Sequence, residues 1–151
     1  MRIIKAEDNH LSTLMSWFKN QQEVTQWGGP HVLITEDVQA LKESIQWSSY
    51  ASYVLLSESG EMVAFGQFYE REHRCHIARI AVCPNHRGQG LVAKLINQMI
   101  KVGTQSLNVE QSSLFVWPDN KSAIKAYQKL GFIISDYPNG LGFDDCLYMV
   151  K

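Results

Sequence analysis

Residues 80–92, Ile80-Ala81-Val82-Cys83-Pro84-Asn85-His86-Arg87-Gly88-Gln89-Gly90-Leu91-Val92, pass from an apolar stretch through a glycine-containing turn into a segment with helical apolar spacing. A strand that enters a helix through such a turn builds an anion site. The first N–H groups of a helix have no intrahelical acceptor and carry the positive end of its dipole, so they can point at a phosphate. Gly88 and Gly90 remove the Cβ atoms that would hold a diphosphate at a distance, and Arg87 adds one fixed positive charge. A second pattern lies downstream. Asn120, Ala123, Tyr127 and Gly131 are spaced by three, four and four residues, which puts the first three on one helical face and the glycine just past its end. Tyr127 offers a phenolic proton donor. By periodicity alone it also fits a core aromatic of an amphipathic helix, and Asn120 fits a helix cap after Pro118 and Asp119.

The two stretches resemble the two signatures of the GNAT superfamily of N-acetyltransferases. Its coenzyme A motif is Arg or Gln, two residues, Gly, one residue, then Gly or Ala. Arg87 and Gly90 fit, whereas Val92 stands where the family usually has a smaller residue. Asn120-x-x-Ala123-x-x-x-Tyr127-x-x-x-Gly131-Phe132 matches the second signature, in the expected order and at about the expected distance. The resemblance implies an α/β (α+β) fold with a mixed, mostly antiparallel central sheet and helices on both faces. It also implies acetyl-CoA as cosubstrate, no metal ion, and direct transfer of an acetyl group to a primary amine in a ternary complex.

Carried over residue by residue, the resemblance assigns the diphosphate to Arg87, Gly88, Gln89, Gly90, Leu91 and Val92. Backbone groups around Ile80, Ala81 and Val82 would hold the pantetheine arm and polarise the acetyl carbonyl. Asn120 would orient the coenzyme, and Tyr127 would lie near its sulfur as the acid. A thiol pKa of ~8.5 lies below a phenol pKa of ~10, so full proton transfer from an unperturbed tyrosine is uphill by ~2 kcal/mol. Tyr127 is therefore expected to donate a hydrogen bond to the developing thiolate. An alkylamine with a pKa of ~10.4 must lose a proton before it attacks. Family members often place a Glu on the strand leading to the turn. His76 stands at or near that position and is the expected base, with Glu70, Glu72 and His73 as nearby alternatives.

Other chemistries compete for the same residues. Gly88-x-Gly90-x-x-Ala93 reads as a dinucleotide fingerprint, with Glu110 near the expected offset of a ribose-binding acid. A dinucleotide-dependent oxidoreductase would, however, need a parallel sheet that begins at this strand. A coenzyme-binding sensor without turnover is a further option. His73, Cys75, His76, Cys83 and His86 invite a zinc site, but Cys75 and His76 are adjacent on a predicted strand and point to opposite faces. Cys83 is better read as a small buried thiol than as an acyl carrier.

The elements that position these residues follow from apolar spacing. Ile3 and Ile4 mark a first strand. Asp8 or Asn9 can cap a helix carrying Leu11, Leu14, Met15 and Phe18, and Thr35 can cap another with Val38, Leu41 and Ile45, with residues 27–30 as a loop between them. Strands are predicted at 53–56, 62–69, 75–82, 113–117, 132–135 and 146–150, and helices at 91–102, ended by Gly103, and at 121–130. Strands that first meander and then alternate with helices predict a sheet that is antiparallel early and locally parallel later.

Length and composition bound the rest. The chain has 151 residues, 45% hydrophobic and 19% charged, which suits one domain over 1–151 with a real core. A formal net charge of −1 gives no overall field for nucleic acid or anionic lipid. The start, Met1-Arg2-Ile3-Ile4-Lys5, lacks a signal-like apolar core, and Cys75, Cys83 and Cys146 form no pairable framework, so the expectation is a cytoplasmic chain with reduced thiols. The acceptor is expected to be a small-molecule or peptide amine, and a homodimer is left open. The resemblance places the acceptor pocket at residues 27–31 and 137–145, where Asp144 and Asp145 could attract a cation.

Overall fold

The computed structural model describes residues 1–140 and 145–151. In chain order the elements are β1 (Arg2–Lys5), α1 (Asp8–Ser16), α2 (Gln21–Gly28), α3 (Val38–Ser44), β2 (Ala51–Leu56), β3 (Met62–Arg71), β4 (Arg74–Val82), α4 (Leu91–Leu107), β5 (Ser112–Val116), α5 (Lys121–Lys129), β6 (Ile133–Ser135) and β7 (Leu147–Val150). The strands form one seven-stranded sheet in the order β1-β2-β3-β4-β5-β7-β6. Every neighbouring pair is antiparallel except β4 with β5, which α4 joins as a parallel crossover. A dinucleotide fold needs several parallel strands around its glycine turn. The single parallel pair here removes that reading.

Helices cover both faces. Leu11 and Leu14 of α1, Val24 of α2 and Leu41 of α3 pack with Val54, Phe65 and Ala81 of the sheet. On the other face Leu91, Leu95, Ile96 and Met99 of α4 meet Ala64, Phe68, Ile77 and Leu114. The spacing of the α4 residues is that of one helical stripe, and each fully buried leucine or methionine contributes ~1.5–3 kcal/mol through the water it sheds.

Several boundaries differ from the sequence expectations for identifiable reasons. Glu7, not Asp8 or Asn9, caps α1, sharing a reciprocal capping box with His10, and Phe18 lies past the helix end. Asp37 caps α3 by accepting from Gln39 and Ala40 N–H, while Thr35 only supports Asp37. The loop expected at residues 27–30 overlaps the end of α2, a helix that the sequence reading did not predict. Asn20 accepts from Glu23 N–H at 3.0 Å and Glu23 accepts from Lys19 N–H at 2.8 Å, a capped start that a helix of eight residues with few apolar positions did not reveal by periodicity.

Gly103 does not end α4. The helix runs on to Asn108, whose φ of +55° provides the left-handed cap. Gly103 is instead a packing glycine, because a Cβ there would collide with Cys75 Sγ and come within 3.2 Å of Phe68. Gly103→Ala is therefore expected to destabilise the protein by ~1–3 kcal/mol despite the better helix propensity of alanine, as overpacking does. A urea titration of the two proteins reads this directly, and equal midpoints would show that the contact relaxes freely.

Candidate active site

The site begins where β4 and β5 separate. Their parallel pairing comprises Cys75↔Ser112, His76↔Ser113 and Ile77↔Leu114. Beyond Ile77, β4 continues to Val82 with no further pairing to β5, whose other edge pairs with β7 from Ser113↔Val150 to Val116↔Leu147. The β4 edge from Ala78 onward thus faces an open wedge, with backbone donors and acceptors that no strand occupies. Ile80 and Val82 turn toward the α4 side, half-buried, whereas Ala81 is buried against α1–α3.

The wedge leads into the glycine turn. Pro84–His86 forms a short 3₁₀ turn, Arg87 is extended, and α4 starts at Leu91 with Gly90 as its N-cap. Gly88 and Gly90 have φ of +76° and +72°, values that carry strain for any side chain. Open space lies where their Cβ atoms would stand. Beyond the steric room they leave, these glycines meet a backbone requirement. Among the described residues, none of the N–H groups of residues 88–93 donates to a protein acceptor, while Gly90 C=O accepts from Lys94. Arg87, Gly88, Gln89 and Gly90 are exposed, Leu91 anchors the turn in the core, and Val92 is half-buried against the α4-side cluster. The result is a row of unpaired donors at a helix start, held in place by the leucine beneath it.

Tyr127 packs on that same cluster with Ile80, Val82, Val92 and Val116, and meets Phe132 edge-on at 6.2 Å between centroids. Its hydroxyl has no protein partner among the described residues and keeps solvent contact. Burial pushes its pKa above the usual tyrosine value, so it stays protonated and keeps a proton to donate. Asn120 caps α5, accepting from Ala123 N–H at 3.3 Å. That confirms the capping reading and leaves its amide NH₂ exposed.

His76 lies elsewhere. It is 2% exposed, its Nδ1 is 2.8 Å from Ser113 Oγ, and Tyr69, Phe115 and Tyr148 surround the ring. Burial, aided by the Arg71 cation, pushes its pKa down to about 3. So weak a base does not hold a proton taken from an alkylamine, and the environment of His76 is that of a structural residue. The alternatives Glu72 and His73 form the tight β3–β4 turn, both with positive φ, at the end of β4 opposite the coenzyme turn. Glu70 sits on β3 opposite Cys75, on the α4 side of the sheet. Cys75 packs in the α4-side cluster and His76 faces away from it, so the two cannot share a metal ion.

Arg79 was not singled out by the sequence reading. Gly66 of β3 is opposed by two β4 residues, Arg79 and Ile80, a bulge that puts Arg79 at a φ of +51°. Its backbone carbonyl accepts from Trp27 Nε1 at 2.8 Å, which ties α2 to the strand beside the wedge. The readable signal was an arginine between the apolar pairs Ile77-Ala78 and Ile80-Ala81, which must find partners or face a cleft. Of the two expected acceptor segments, Asp144 and the rest of 141–144 lie outside the described residues.

A sheet that opens beside a helix start with unpaired amides is an arrangement suited to an anionic ligand. The Acetyltransferase (GNAT) family model matches residues 13–132, and the chain belongs to that family. An L-amino acid N-acetyltransferase of Escherichia coli is 36% identical over 67 residues, covering 43% of this chain and 41% of its own length. The Escherichia coli spermidine N(1)-acetyltransferase is 25% identical over 136 residues, 89% of this chain and 68% of that protein. The spermidine N-acetyltransferase of Vibrio cholerae, solved in complex with CoA and spermine, superposes with a TM-score of 0.76 at 20% identity, covering 99% of this chain and 94% of that one. That likeness establishes the fold. The chain thus spans less than half the length of the amino acid acetyltransferase it resembles.

Proposed function

We propose that this protein transfers the acetyl group of acetyl-CoA directly to the primary amine of a small molecule. The observation that carries the reading is the set of unpaired N–H groups at residues 88–93, beside an unzipped β4 edge. Those amides and Arg87 hold the diphosphate, as helix starts hold phosphate generally. The β4 backbone near Ile80 and Val82 aligns the thioester and donates to its carbonyl oxygen, where negative charge develops. The amine nitrogen attacks the carbonyl carbon, a C–N bond forms and the C–S bond breaks. Tyr127 donates to the departing sulfur. We assign the proton leaving the amine to water, since His76 is too weakly basic to take it. Relatives named for amino acid and for polyamine acetylation support a small-molecule acceptor. Three free thiols fit a reducing compartment such as the cytoplasm, and among the described residues no helix is long and apolar enough to cross a membrane.

Saturating acetyl-CoA is expected to raise the melting temperature, since a ligand at ~100 times its Kd adds ~2.7 kcal/mol to stability. NAD and NADP are expected to leave it unchanged. Release of free CoA in the presence of an amine panel then separates an enzyme from a sensor. Stabilisation by NAD instead, or CoA release with none of the amines, overturns the reading.

A further inference from the structure

We infer that Arg79 binds a carboxylate of the acceptor, so that the amine acetylated here belongs to an amino acid-like molecule rather than a polyamine; this rests on the acetyl-transfer reading above. Three of the five guanidinium N–H groups are used within the protein. Nε donates to Gly28 C=O at 3.3 Å, and Nη1 donates to Ile45 C=O at 3.3 Å and to Gln67 Oε1 at 3.0 Å. Both carbonyls lie at helix C-termini, of α2 and α3, whose partial negative charge orients the cation without neutralising it. The two N–H groups of Nη2 have no protein partner among the described residues, and Nη2 keeps solvent contact. No described carboxylate pairs with Arg79.

A half-buried guanidinium without a counter-ion is costly, and its burial pulls the pKa below the usual arginine value. A bound carboxylate would supply the missing charge through Nη2. The place is right for an acceptor. Arg79 immediately precedes Ile80 at the wedge, its carbonyl is held by Trp27, and its guanidinium carbon lies 5.8 Å from the ring of Tyr50, which stacks on Tyr69. On this face of the sheet the β3 and β4 neighbours of Arg79 are Gln67, Ala78 and Tyr69, none of them a carboxylate. A polyamine would meet like charge there.

The test compares CoA release with a panel of L-amino acids, the matching amino acid amides, and spermidine. For the best amino acid, kcat/KM is expected to exceed that of its amide by at least about tenfold, the scale of one charge-assisted hydrogen bond. Arg79→Gln should collapse that ratio by a similar factor through KM, and Arg79→Lys should restore part of it. A merely structural arginine would lower both acceptors in proportion. If Arg79→Gln fails to fold, the wild-type ratio and Arg79→Lys still decide. Amides or spermidine used as well as any amino acid would overturn this inference while leaving acetyl transfer intact. Absence of CoA release with every amine would overturn both.

Discussion

Tyr127→Phe is expected to lower kcat by about 10²-fold, the lower end of what a positioned proton donor contributes, with little change in acetyl-CoA affinity. The removed hydroxyl has no protein partner among the described residues, so the fold loses no internal hydrogen bond. Its packing against Phe132 and the α4-side cluster is retained by the phenyl ring. Because the phenol pKa is raised by burial, a full transfer to the thiolate is even less favourable than for a free tyrosine. The loss should therefore appear as reduced stabilisation of the transition state, with kcat and kcat/KM falling together. Steady-state kinetics with an unchanged rate would remove Tyr127 from the mechanism.

The second large effect concerns acid stability. The native pKa of His76 is about 3, against about 6.5 for the unfolded residue. Between those values the unfolded chain binds a proton that the native protein refuses, so stability is full above ~6.5 and is lost as pH falls toward 3. The slope is ~1.4 kcal/mol per pH unit for one proton. From pH 7 to pH 5 the loss due to this residue is ~2 kcal/mol, obtained by comparing urea unfolding of the wild type with His76→Gln, which can still hydrogen-bond Ser113. Parallel pH dependence in the two proteins would contradict the buried, neutral state of His76. The same state predicts that the rate profile shows no inflection from His76 near neutral pH.

The sequence read best where local rules and chemistry coincide. The turn at Gly88 and Gly90 was legible because glycine positions, an arginine and a helix start all pointed to an anion. The wedge itself was only partly so: alternating strands and helices gave the mixed sheet, but the point where β4 leaves β5, after Ile77↔Leu114, is set by long-range pairing with no local mark. Gly103 misled because glycine is both a helix terminator and a packing residue, and only the position of Cys75 distinguishes them. His76 illustrates the same limit. Its type fits a base, yet its basicity is decided by Tyr69, Phe115 and Tyr148, which converge on it from other strands. Arg79 stood in plain view between apolar neighbours, but the bulge that aims it is set by the register against β3.

The most direct test of the coenzyme grip is a titration of the ¹⁵N-labelled protein with acetyl-CoA, followed by amide NMR. The largest shifts are expected at the N–H groups of residues 88–93, which have no protein acceptor among the described residues. Shifts confined to another surface, with the glycine-turn amides unmoved at saturation, would contradict the account.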